Sequence, residues 1–144
     1  MKSHLISLGI ILLMTLSTNT HAQDKSAPHM VVIEQDEKRV IEPPPHGKIG
    51  LSTAYRITDG IAGRTMEFRR RILHKDAAIG IHPINHDEVY YVLSGTGIVQ
   101  SDGQTKTLTA GMAAYLYSGA HVGIKQIGDH PLDIIISYPV VGQP

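Results

Sequence analysis

Turn chemistry recurs along this chain at intervals too short to accommodate core helices. From residue 30 onward, short apolar or alternating runs are separated by glycine-bearing breaks: Thr58-Asp59-Gly60, Ser94-Gly95-Thr96-Gly97, Ser101-Asp102-Gly103-Gln104, Ala110-Gly111, Ser118-Gly119 and Gly128-Asp129. No stretch after the first 22 residues sustains a 3.6-residue apolar period, the signature an amphipathic core helix requires. Strand character falls at 30–34, 49–58, 65–74, 78–82, 88–94, 97–101, 104–109, 113–117, 122–127 and 132–138. Many short strands at near-regular spacing predict an all-β sandwich or barrel. The cluster Glu42-Pro43-Pro44-Pro45-His46-Gly47 interrupts the pattern, because three prolines remove amide donors and fix φ. Asp102-Gly103 between two strand runs predicts a tight hairpin.

The first residues read as a targeting segment. Lys2 precedes an apolar run from Leu5 to Leu16, and Thr20 and Ala22 are small residues at the −3 and −1 positions of a cut before Gln23. This is the pattern of a secretory signal peptide over residues 1–22, and the apolar run is short for a bilayer span. No cysteine is present for lipid attachment. The expected organisation is a signal peptide (1–22), an N-terminal lead-in with a short strand (23–46) and one barrel domain (47–144). An exported protein, periplasmic or secreted and free of the membrane after cleavage, is therefore expected. Export favours chemistry that needs neither ATP nor a nicotinamide cofactor.

Composition narrows the function classes. The absence of cysteine excludes disulfides, thiolate metal sites and a cysteine nucleophile. Thirteen basic residues balance thirteen acidic ones, tryptophan is absent and Phe68 is the single phenylalanine. With neither a basic stripe nor stacking aromatics, nucleic acid is not an expected partner. Arg69-Arg70-Arg71 is the densest positive run and reads as a solvated strand face.

Chemistry concentrates between Gly80 and Gly97. His82, His86, Asp87 and Glu88 crowd the start of the segment, and the apolar strand Val89-Tyr90-Tyr91-Val92-Leu93 comes directly after them. A hairpin bearing such residues near its turn aims them into one end of a barrel, and imidazole with carboxylate suits Fe, Mn, Zn, Ni or Co as divalent ions. Without a metal, a partly buried Glu88 has a second potential role, as a base of raised pKa partnered by His82 or His86. Glu88 and Tyr90 share a strand face. Asp87 reads as a residue capping its own turn, and His46 and His130, beside prolines, read as exposed loop residues.

His-Asp-Glu-Val-Tyr-Tyr-Val-Leu-Ser-Gly, residues 86–95, resembles the cupin superfamily. Its first motif runs glycine, five residues, His-x-His, three or four residues, Glu, six residues, Gly; here His82, Glu88 and Gly95 keep the spacing. The second runs glycine, five residues, Pro-x-Gly, two residues, His, three residues, Asn; Gly111 and Gly119 keep it, and His121 arrives one residue early. Ile84 stands at the second histidine, Asp76 at the first glycine, Tyr117 at the proline and, counted from His121, Lys125 at the asparagine. The resemblance covers roughly 47–140 and implies a small antiparallel β-barrel or jelly roll, often a homodimer. It also implies a divalent metal held by His82, Glu88 and His121, with His86 as a substitute for the missing histidine.

Three functional readings stand side by side: a metal-dependent enzyme of the dioxygenase, isomerase or lyase type acting on a small molecule; a non-catalytic module binding a small polar metabolite; and a structural or storage barrel. A cupin-like fold by itself does not rank them.

Overall fold

The computed structural model describes residues 29–140, so the signal-peptide reading of 1–22 and the cut before Gln23 lie outside the described residues. A short 3-10 turn, Gln35–Lys38, leads into ten strands: β1 (Arg39–Glu42), β2 (Ser52–Tyr55), β3 (Met66–Leu73), β4 (Ala78–Pro83), β5 (Glu88–Ser94), β6 (Thr96–Ser101), β7 (Gln104–Thr109), β8 (Ala113–Leu116), β9 (His121–Ile127) and β10 (Leu132–Pro139). All pairings are antiparallel, in a six-stranded sheet ordered β1-β2-β3-β10-β5-β8 and a four-stranded sheet ordered β4-β9-β6-β7. Two such sheets sharing one core make the jelly-roll form of the expected all-β fold. Among the described residues no helix is long and apolar enough to cross a membrane.

Period-two alternation builds the core. On β5, Glu88, Tyr90 and Val92 are buried while Tyr91 and Leu93 are exposed, as successive side chains of a strand must face opposite ways. Leu73, Tyr90, Val92, Val122, Leu132 and Ile134 are at most 1% exposed and join the two sheets. The hairpin expected at Asp102-Gly103 forms: Ser101 pairs with Gln104, and both turn residues have positive φ, 46° and 81°, as a type I′ turn demands.

Three local expectations are corrected. Residues 30–34 do not form a strand, and Met30 and Val32 are 78% and 80% exposed. The first strand is instead Arg39–Glu42, where pairing to β2 is available and Arg56 and Arg71 bind the Glu42 carboxylate. The Arg69-Arg70-Arg71 run is not a solvated face. Alternation sends Arg70 to one side, onto Asp133 at 2.6–2.9 Å, and Arg69 and Arg71 to the other, onto Glu67 and Glu42. Asp87 does not cap its own turn. It accepts from the Ser118 amide at 2.9 Å and from the Tyr115 hydroxyl, which pins the β4–β5 turn to β8 and the loop after it.

Candidate functional site

The site begins with an irregularity in β4. Ile79 pairs with Ile124 and His82 with Val122, so β4 spends three steps where β9 spends two. The extra residue is a β-bulge, which reverses the facing of the residues beyond it. Regular alternation from buried Ile79 would turn residue 81 inward and His82 outward. With the bulge, Ile81 is 57% exposed and His82 lines the internal cavity. Gly80 sits inside the bulge, and its carbonyl accepts from His82 Nδ1 at 2.9 Å. With the proton on Nδ1, the basic nitrogen of His82 is Nε2.

Gly80 also brings a distant residue to the site. A Cβ there would lie 1.6 Å from the His46 carbonyl oxygen, so only glycine allows the β1–β2 loop to approach this closely. The loop is further held by the Gly80 amide donating to the Pro45 carbonyl at 3.4 Å. Seated there, the His46 ring stacks on His82 with centroids 3.5 Å apart and planes 7° from parallel. Burial, and secondarily the neighbouring His82, hold the His46 imidazole below its usual pKa.

Opposite stand Glu88 and His86. Glu88 opens β5 on its inner face and its side chain is 7% exposed. Burial pushes its carboxyl up to about 7, against the opposing pull of the Arg69 charge. His86 Nδ1 faces Asn85 Oδ1 at 3.0 Å, an oxygen that can only accept. His86 Nε2 is thus the basic nitrogen, and it lies 3.7 Å from Glu88 Oε2. The ring rests on Tyr138 at 4.6 Å between centroids, and the Arg69 guanidinium lies 5.6 Å from the centroid of that same Tyr138 ring. Burial, then His82, holds the His86 pKa down, with Asp87 opposing. Near neutral pH the pair is therefore a neutral imidazole facing a carboxyl at its midpoint. The gap is too long for a direct hydrogen bond and leaves a ligand atom room to bridge it.

The cavity has a volume of about 260 Å³. Its floor is aliphatic, with Ile79, Ile84 and Ile136, and Tyr90 beside them; its polar groups are His46, His82, His86, Glu88, Arg69 and Arg71. An apolar hollow with few convergent polar groups is the usual form of a small-molecule site.

Of the four metal candidates in the sequence, His82, His86 and Glu88 line this cavity and His121 does not. His121 pairs with Pro83, its side chain is 63% exposed, and its Nδ1 lies 3.8 Å from Asp102 Oδ1 on the hairpin. Val122, the next residue along, is fully buried in the core. One residue along a strand is the difference between inside and outside. The motif's asparagine position is then Gln126, 1% exposed, whose Nε2 donates to three backbone carbonyls and whose Oε1 accepts from the Asp76 amide. Ile84 and Val122 thus fill two of the four family ligand positions with hydrocarbon. The remaining donors stand as two pairs, His46 with His82 and His86 with Glu88. Among the described residues no three His, Cys, Asp or Glu groups are arranged to hold one ion, which would require each donor atom at about 2.0–2.2 Å.

Sequence reading missed His46, Arg69 and Arg71 as cavity residues. Arg69 and Arg71 are two apart on a strand, a spacing that signals a shared face; for His46 no local signal exists, since its approach depends on Gly80, 34 residues away.

The cupin-domain family model matches residues 69–138. Together with the two-sheet architecture, this makes the chain a member of the cupin superfamily. Among solved structures it is similar to a predicted oxalate decarboxylase of Thermotoga maritima, with a TM-score of 0.67 and 21% identity over 77% of this chain and 100% of that one. It is also similar to an RmlC-like cupin of Shewanella frigidimarina (TM-score 0.60, 20% identity, 76% and 91% covered) and to KdgF of Halomonas sp. (TM-score 0.54, 18% identity, 62% and 79% covered). At these identities the likeness is one of fold. No curated protein sequence matches the chain.

Proposed function

We propose that this cupin binds a small polar organic molecule in the Glu88 cavity and moves a proton on it, an acid–base reaction of the isomerase or lyase type. The observation that carries this reading is the Glu88 carboxyl: buried, pushed up to about 7 and facing the basic Nε2 of His86 across 3.7 Å. A group whose pKa lies near working pH both accepts and returns a proton efficiently. In this reading Glu88 exchanges the proton, the Nε2 atoms of His86 and His82 accept hydrogen bonds from the ligand's hydroxyl groups, and the aliphatic floor excludes water. Arg69, on the same wall, supplies positive charge where an oxyanion would develop. The names of two structural relatives, a predicted decarboxylase and an RmlC-like cupin, are compatible with small-molecule chemistry in this fold.

The test uses the mature protein with a panel of small hydroxy acids, keto acids and free sugars in D2O. Binding is followed by thermal shift and exchange of carbon-bound hydrogen by NMR. Expected are at least one ligand and Glu88-dependent deuteration, lost in Glu88→Gln. A panel that neither binds nor exchanges, or exchange that survives Glu88→Gln, defeats the proposal.

A resident divalent ion is the second reading, favoured by the His82 Nδ1 contact to Gly80 O, the kind of support that metal-ligating histidines use. Metal content of the purified protein with and without chelator separates the two. Export rests on the N-terminal pattern of residues 1–22; intact mass of the protein from outside the cytoplasm should begin at Gln23. A homodimer is supported by the outer face of the large sheet, where Phe68, Tyr91, Leu93 and Tyr115 are 41–54% exposed and suited to a second sheet. Sedimentation at micromolar concentration reads it.

A further inference from the structure

Arg69 and Arg71 also border a second, open hollow beside the Glu88 cavity. This cavity, about 480 Å³, is lined by Glu42, Lys48, Arg56, Arg69, Arg71 and His46, with prolines 43–45 and Gly47 completing it. Pro45, His46, Arg69 and Arg71 belong to both chambers, so the two adjoin around the tip of the β1–β2 loop. The first chamber sets an aliphatic floor against the His86–Glu88 pair; the second is basic, with four permanent cations and one carboxylate in its lining.

That single carboxylate is divided. Arg56 binds both Glu42 oxygens at 2.6 and 2.7 Å, and Arg71 takes Glu42 Oε1 at 3.1 Å, its other donated bond going to the neutral Ser52 hydroxyl at 2.7 Å. The Arg71 side chain is 7% exposed. Burial, with Arg56 and Arg69 as like-charged neighbours, weakens its hold on its proton. Arg69 finds its carboxylates, Glu67 and Asp59, outside this chamber. The lining therefore concentrates positive charge beyond what its own acid balances, the condition in which a bound anion is stabilised.

Backbone conformation supports the same assignment. His46 and Lys48 have φ of 58° and 53° on either side of Gly47. Such conformations are uncommon for residues with a side chain and cluster where function holds them. Both of these residues line the basic chamber.

We propose that this chamber is an oxyanion subsite. It takes the carboxylate or phosphate group of a ligand whose uncharged part lies in the Glu88 chamber, which makes the ligand a small organic acid or phosphate ester. The guanidinium forks suit such groups bidentately. The inference rests on the small-molecule reading above, and its test is independent of proton exchange.

Inorganic phosphate and succinate are titrated calorimetrically into the mature protein, into Lys48→Asn, which keeps a residue tolerant of left-handed backbone, and into Arg56→Gln. Saturable binding of at least one anion is expected, weakening roughly tenfold in each variant, the loss of one charge-assisted contact. Which probe binds more tightly identifies the phosphate or the carboxylate. Absence of saturable binding by either anion, or binding unaltered in Lys48→Asn and in a folded Arg56→Gln, overturns the subsite. Phosphate or succinate binding with no Glu88-dependent exchange on any panel molecule defeats the acid–base reading alone.

Discussion

Gly80 and His46 meet backbone to backbone: a side-chain carbon on Gly80 would lie 1.6 Å from the His46 carbonyl oxygen. That approach places the His46 ring flat on His82 at 3.5 Å and divides the space beside β3 into an acid–base chamber and a basic one.

Gly80→Ala should therefore act on the site through the loop. The obstacle is backbone, so the loop must lift. A cost of roughly 1–3 kcal/mol is expected from such overpacking, with loss of the shielding that the stacked His46 and His82 give each other. Urea unfolding and the histidine NMR titration curves check this; an unaltered His46 resonance would refute the clamp.

Glu88 sets a pH dependence of stability. Its folded pKa is raised to about 7 from 4.5, so the folded state holds a proton that the unfolded chain has released. The stability this group contributes is present below about 4.5 and declines as pH rises toward 7. Glu88→Gln removes the decline. The variant should match the parent at pH 4 and exceed it at pH 8 by up to roughly 3 kcal/mol. Unfolding free energies at the two pH values give the difference directly.

Arg71 is the buried member of the Glu42 network, donating to Ser52 and Glu42. Arg71→Met keeps the stem but removes the donor to the Ser52 hydroxyl, which still donates to the Glu42 carbonyl at 2.9 Å, and one of the donors to the Glu42 carboxylate. Because Arg56 still binds Glu42 and Glu42 is 25% exposed, the expected loss is about 1–3 kcal/mol, below that of a wholly buried pair. A double-mutant cycle with Glu42→Gln should show coupling; additive effects would contradict the network.

His121 faces solvent beside Asp102. His121→Ala is expected to change stability by no more than about 0.5 kcal/mol and to leave ligand binding and metal content as they were. A fall in metal content in this variant alone would restore His121 to the site and revise the geometry described for β9.

Much of the architecture is legible in local signals. Alternation in 88–94 and the Asp102-Gly103 turn are of this kind, because strand facing and hairpin twist are decided by neighbouring residues. The spacing of His82, Glu88 and Gly95 carries the family. The short first strand lies at 39–42 rather than 30–34, because its pairing to β2 and the binding of Glu42 come from residues far along the chain.

By itself the sequence determined that the chain would be all-β, that His82 and Glu88 would stand at one end of a hairpin, and that Ile84 would replace one family ligand histidine. Tertiary structure alone decided which side chains share a cavity. The β4 bulge turned His82 inward, a one-residue offset left His121 outside and Val122 in the core, and close approach at Gly80 delivered His46. Facing along a strand reverses with every residue, so register and long-range contact settle what spacing in the sequence leaves open.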